Sequence, residues 1–286
     1  MQAEALHRIL HPADPSAPGS AFPAGSSPLS ASRAQAALRI RTGAEWEQQA
    51  RVPRAWSYRA CAGRLIELSG TRAAPLLTLA FALVCDAQRA GEPVAWVQGP
   101  GTTFFPPDAA HNGVDLKSLV VVRLPEPQNS VAYAPAARGG PPDADRQRGA
   151  ARYEASPAQQ LARSAVRLLR SGAFGLIALD LASLDLASPN GAAGDGAAAG
   201  RGAGLSAALL GKLGQLAQRH DSAVCCLTLK RPERPSLGSL VSLRGEALRR
   251  RTGEDRFSCV VRVLKDKRSG PGWTHEEVAH GPPGLS

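Results

Sequence analysis

The chain has 286 residues, 43% of them apolar, enough to bury a full core as one large domain or two small ones. Its longest apolar runs, such as Leu76 to Cys85, are too short to cross a bilayer, and its first residues lack the charged-then-apolar layout of a secretory signal. No membrane span and a cytoplasmic address are therefore expected. Lysine and arginine number 34 against 24 acids, a net +10, which favours an anionic partner, although only five of the 34 are lysines and a GC-rich coding bias also produces arginine. The distribution is uneven: between Arg231 and Arg268, 11 basic residues meet 5 acidic ones, so this stretch holds +6. Cys61, Cys85, Cys225, Cys226 and Cys259 sit in apolar segments with neither a C-x-x-C pair nor a histidine at metal spacing. They read as reduced core residues, and no metal site is expected.

Residues 1–50 read as a short helix followed by a linker. Ala5, Leu6, Ile9 and Leu10 form one apolar stripe, and 11–32 are dominated by Pro, Ser, Ala and Gly, a composition that cannot repay the entropy of ordering. The stripe either docks on a partner or covers its own domain. Residues 51–270 form the expected core. Leu65–Leu68 is a strand, Leu76–Arg89 a helix closed by Gly91, and Val94–Val97 and Leu119–Leu124 are strands. After a Pro/Gly break from Pro125 to Gly149, Ser156-Pro157 reads as an N-cap and first helical residue. Leu161, Ala165, Leu168 and Leu169 then mark the buried face of that helix. Leu176–Leu179 is a strand; a second break runs over Ser188–Gly204. Leu205–Arg219 is helical, and Ala223–Leu229, Ser239–Leu243 and Phe257–Leu264 are strands. Residues 271–286 trail off as a polar, Gly/Pro-rich tail. Strands and helices that alternate, with near-continuous apolar strands, imply an α/β fold. The central sheet is mostly parallel and covered on both faces, and antiparallel edge strands are added near the C-terminus.

In such a sheet the turn after the first strand is the usual ligand position, because backbone amides and the next helix N-terminus converge there. Against the phosphate-loop pattern G-x-x-x-x-G-K-[ST], Gly70 fits. Pro75 stands for the second glycine, Leu76 for the lysine and Leu77 for the hydroxyl residue. Proline removes an amide donor, one leucine the cation, and the other the hydroxyl that helps to hold magnesium. Thr78 offers a hydroxyl one position late, and Arg72 is the one cation in the loop. ATP hydrolysis here is not expected.

From Gly63 to Gly272 the chain resembles bacterial RecA. Gly63-Arg64-Leu65-Ile66-Glu67-Leu68-Ser69-Gly70 is similar to that family's strand before its phosphate loop, and Thr78-Leu79-Ala80 and Ala87-Gln88-Arg89-Ala90-Gly91 to the helix after it. Gly113-Val114-Asp115-Leu116-Lys117-Ser118-Leu119 looks like the family's Gly-Val-Asp-Leu-x-x-Leu. Ser171-Gly172-Ala173 with Leu176–Asp180 looks like the strand ending in the Walker B aspartate. Asp180 is thus kept, either as a metal-binding remnant or as a cap on a neighbouring loop. Val263-Leu264-Lys265-Asp266-Lys267 resembles the family's Lys-Asn-Lys, whose lysines reach the nucleotide of a neighbouring subunit, which makes Lys265 and Lys267 basic candidates for contact with DNA or a partner. The departures are as informative. Val97-Gln98-Gly99-Pro100 brings no catalytic glutamate, and no carboxylate follows it until Asp108; the position of the phosphate-sensing glutamine falls near Thr228-Leu229, where there is none. The first DNA loop is matched only by Gly191–Gly204, and the second is cut to Lys230–Gly238.

Among RecA-like proteins, this pattern looks most like the ImuA family of translesion-synthesis accessory proteins. That resemblance implies a non-catalytic protein of the DNA-damage (SOS) response that needs no cofactor. It implies contact with RecA and with ImuB, a polymerase-related protein, and through it with an error-prone replicative-type polymerase. Two alternatives stand beside it: a residual ATP-dependent DNA-binding protein using Arg72, and a SulA-like division inhibitor. Arg231, Arg234 and Arg244 are candidates for weak, salt-sensitive contact with DNA phosphates, or simply a solvated basic edge.

Overall fold

The computed structural model describes residues 54–100, 103–125, 155–187, 204–253 and 256–280. Leu6, Ile9 and Leu10 and nearly all of the Gly191–Gly204 loop lie outside the described residues. In chain order the elements are α1 (Tyr58–Cys61), β1 (Leu65–Gly70), α2 (Leu76–Arg89), β2 (Val94–Gln98), α3 (Pro106–His111) and β3 (Leu119–Arg123). These are followed by α4 (Pro157–Arg170), β4 (Leu176–Asp180), α5 (Ala182–Ala187), α6 (Ala207–His220), β5 (Ala223–Leu229), β6 (Leu243–Arg251), β7 (Arg256–Asp266) and β8 (Thr274–His280).

The helices begin and end where their cap chemistry dictates. Ser156 Oγ accepts from the Gln159 amide ahead of α4, whose first residue is Pro157, and Ser206 Oγ accepts from the Leu209 amide ahead of α6. Past α2 the chain turns at Gly91 with φ +78°, a backbone state that costs glycine little, and Glu92 N–H returns to the Ala87 carbonyl. Leu161, Ala165, Leu168 and Leu169 are all buried, as their spacing requires.

Among the described residues the strands form one eight-stranded sheet in the order β3-β2-β4-β5-β1-β6-β7-β8. Every pairing from β3 through β6 is parallel; β7 runs antiparallel to β6, and β8 antiparallel to β7. Strand alternation divides the interior into two cores. Ile66, Leu68, Trp96 and Ala178 point to one side, under α2 and beside Leu243 and Val261. Leu65, Val97, Ile177 and Val224 point to the other, under α4 and α6. Burying both faces is what a parallel sheet needs, and it explains why β1, β2 and β4 are buried at every position. All five cysteines are free thiols within these cores, and burial pushes the Cys61 thiol up to about 12.

Two expectations near the C-terminus are corrected. Residues 239–242 are not strand: β6 starts at Leu243 and pairs with β1 in parallel, because the chain must first descend from the end of β5. The segment after Gly270, expected to trail off, contains β8, whose register carries Cys259 opposite Glu277 and Arg262 opposite Thr274. Its inward residues are short or polar, so the alternation that marks a strand was weak there.

A buried ion pair fastens the far end of this extension to the first strand. Arg64, just before β1, donates to Asp266 Oδ1 at 2.6 Å, with both side chains at most 4% exposed. Trp273 Nε1 and the Arg268 amide donate to the same carboxylate. Burial works to raise the Asp266 carboxyl, but the Arg268 amide, the Arg64 guanidinium and Trp273 together hold it below the usual carboxylate range.

Candidate functional site

The turn after β1 folds onto itself. Ala74 N–H bonds the Thr71 carbonyl, Leu76 N–H bonds the Ala74 carbonyl, and a Cβ placed on Gly70 would stand 2.7 Å from the Ala74 Cβ. The Ala74 methyl therefore occupies the space beside Gly70. Pro75 stands at the N-cap of α2 with no side-chain cap bond, Leu76 is buried, and Leu77 packs against the core. Against the phosphate-loop pattern, the lysine and hydroxyl positions carry the hydrocarbon side chains of Leu76 and Leu77.

What remains is a pocket of about 430 Å³ over residues 71–78, completed by Thr103, Ala182 and Leu229 and by side chains of the edge extension: Arg249, Phe257, Cys259 and Ala279. The extension residues lie far along the chain and gave no local motif, so sequence reasoning missed them. Arg249 is exposed and its guanidinium stands 5.1 Å from the centre of the Phe257 ring, a cation–π arrangement.

Asp180, at the end of β4, is fully buried. Its Oδ1 accepts from the Ser183 amide at 3.0 Å and its Oδ2 from Thr103 Oγ1, so the carboxylate starts α5 and ties the turn after β2 to it. That turn is sealed: the Gly99 amide donates to Ser183 Oγ, and a side chain on Gly99 would strike Leu184. Asp108, the first carboxylate after β2, is exposed in the first turn of α3 and does not line the pocket. Among the described residues no group of three or more His, Cys, Asp or Glu could hold a metal ion.

A second polar centre lies on the opposite face of β1, and the sequence motifs did not indicate it. Glu67 is fully buried. Its carboxylate pairs with Lys230 Nζ and accepts from Thr228 Oγ1 at 3.0 Å, Ser236 Oγ at 2.9 Å and the Leu237 amide at 3.0 Å, with Arg244 Nε at 4.0 Å. Arg244 is corrected from a surface candidate to a buried tie. It is 4% exposed, and its guanidinium donates to Ser69 Oγ and to the Arg231 and Arg234 carbonyls. Burial pushes the Lys230 ammonium below the usual lysine range against the pull of Glu67. The segment 230–238, matched to a mobile DNA loop by resemblance, is thus pinned to the sheet by buried charges. Arg231 and Arg234 are exposed on it. The available signal was a glutamate in the middle of a strand with apolar neighbours, since a buried carboxylate requires donors.

Lys265 and Lys267 do not approach the pocket. Lys265 pairs across from Arg244 and its Nζ lies 3.4 Å from the Gly238 and Ser239 carbonyls; burial and the like charge of Lys267 push it below the usual lysine range. Lys267 is exposed, and its amide bonds the Ser242 carbonyl near the start of β6, at the end of the sheet away from Gly70.

No family model matches the chain, and neither does any curated protein sequence. Among solved structures it is similar to a KaiC-like protein of the hyperthermophilic archaeon Pyrococcus horikoshii, at 11% identity and a TM-score of 0.45, over 77% of this chain and 90% of that one. The core is an α/β core: a mostly parallel sheet whose first strand lies between β5 and β6, with the antiparallel strands confined to one edge. No helix among the described residues is long and apolar enough to cross a membrane.

Proposed function

We propose that this chain is a non-catalytic RecA-like accessory protein of error-prone translesion synthesis, of the ImuA kind, that works by binding RecA and an ImuB-like polymerase-related protein. The observation that supports this reading is the turn after β1, where the Ala74 methyl stands against Gly70 and Pro75, Leu76 and Leu77 occupy the positions that the phosphate-loop pattern gives to glycine, lysine and a hydroxyl residue. A turn of that composition leaves surfaces for contact without the donors that a triphosphate needs. The open edge of the sheet is in keeping with a docking role. Among the described residues β3 is paired on one side only, and Phe105, Leu116 and Val121, on β3 and the segment leading to it, are 57%, 40% and 41% exposed. Apolar side chains at an unpaired edge invite a neighbouring subunit.

Two measurements test the proposal. Calorimetric titration with magnesium ATP is expected to give no saturable heat, and purified RecA and ImuB are expected to co-elute with the chain. Turnover abolished by Arg72→Ala, or failure to retain either protein, overturns it.

A further inference from the structure

The pocket over the β1–α2 turn lacks the lysine and hydroxyl of the phosphate-loop pattern but is open. Its walls are mostly hydrocarbon, from Pro75, Leu229, Phe257 and Ala279, with the hydroxyl residues Thr71, Thr78 and Thr103 among them, and Arg72 and Arg249 also line it; among the described residues no carboxylate does. We propose that this pocket binds an acidic peptide segment of a partner protein, with one apolar side chain seated against Phe257 and Leu229 and flanking carboxylates on Arg72 and Arg249. The inference rests on the reading that nucleotide no longer uses this site.

Three features favour a peptide of that chemistry. β6 pairs with β1 only as far as Glu246 opposite Ser69, yet runs on to Arg251. At roughly 3.3 Å per residue it projects about 13 Å past the end of β1. Alternation sets Arg251 on the same side as Arg249, Phe257 and Cys259, so the hairpin face that borders the pocket carries two exposed arginines. Arg249 is held in place over the Phe257 ring, so little side-chain entropy is lost when it meets a carboxylate. Finally, a volume of about 430 Å³ accommodates one or two large apolar side chains, the scale of an anchor residue in a peptide groove.

The test uses the full chain and fluorescence anisotropy with three probes. They are a fluorescein-labelled peptide with Leu-Phe-Leu flanked by Asp and Glu, the same peptide with Lys replacing each acid, and a fluorescent ATP analogue with magnesium. The acidic peptide is expected to bind saturably and to weaken as salt rises. The Arg72→Glu/Arg249→Glu double variant should lose affinity by about tenfold or more while still unfolding in one cooperative transition, because both side chains are exposed. Ala279→Trp fills the pocket mouth from half-exposed β8 and is expected to abolish saturable binding. Equal binding of the lysine peptide, equal binding by both variants, or no saturable binding of the acidic peptide overturns the inference. If the ATP analogue is silent in that last case, the proposed function stands without it; saturable binding of the analogue overturns both.

Discussion

The turns that leave β1 and β5 stand side by side at the same end of the sheet, with Lys230 N–H bonded to the Gly70 carbonyl, yet they dispose their side chains in opposite ways. After β1, Ala74, Pro75, Leu76 and Leu77 bring methyl, ring and isobutyl groups to an open pocket. After β5, charge has been kept and turned inward: Glu67, Lys230 and Arg244 saturate one another and the backbone of 230–238. The difference teaches that counting arginines near a functional position says little until burial is known. Arg244 holds a loop, whereas Arg249, five residues on, faces solvent.

The strongest way to break this comparison is to remove the hub of the buried network. Glu67→Ala leaves Lys230 and Arg244 as buried cations without their carboxylate, and strips Thr228, Ser236 and the Leu237 amide of an acceptor. A loss of about 3–5 kcal/mol in urea unfolding is expected. The 230–238 segment should also become cleavable by protease under native conditions. An unchanged midpoint would mean that the loop is held by packing alone.

Asp266 makes the same argument at the other end of the extension and adds a pH signature. Its carboxyl is held low in the folded chain, so the stability it contributes is fully present above the ordinary carboxylate pKa near 3.9 and is lost as the pH falls through its folded value. Asp266→Asn is expected to cost about 2–3 kcal/mol at neutral pH. It should also flatten part of the acid limb below about pH 4 in a series of denaturation curves.

Much of the frame was legible in the chain. α2 runs over the expected residues, as does β5, because cap residues, a glycine at positive φ and unbroken apolar strands are local signals. The departure of residues 70–77 from the phosphate-loop pattern was legible for the same reason: it is eight contiguous residues. The pocket wall and the Glu67 centre were not, since each joins side chains far apart in the chain, Thr71 with Ala279 in the one and Glu67 with Arg244 in the other. β8 was missed because its alternation of Thr, Glu and Val against His, Glu and Ala offers little contrast between faces.

A smaller effect sharpens the account of the β1 turn. Gly70→Ala drives a methyl into the Ala74 Cβ, and a destabilisation of about 1–3 kcal/mol is expected. Ala74→Gly should recover part of it in the double variant, since the two positions touch. Additive losses in that cycle would mean that the space beside Gly70 is not filled by Ala74.

The smallest expected effect is the most pointed. Arg231 and Arg234 carry the same charge as Arg244 and lie on the very loop that it pins, but the loop is held through their backbone carbonyls, which accept from Arg244, and both side chains are exposed. Replacing each by alanine keeps the carbonyls, so stability is expected to change by no more than about 0.5 kcal/mol. Arg244→Ala removes the donor to both carbonyls and should fall in the range given for Glu67→Ala. If the surface pair instead costs as much as Arg244, the loop is braced from outside, and its arginines have no claim to be contact residues for an acidic partner.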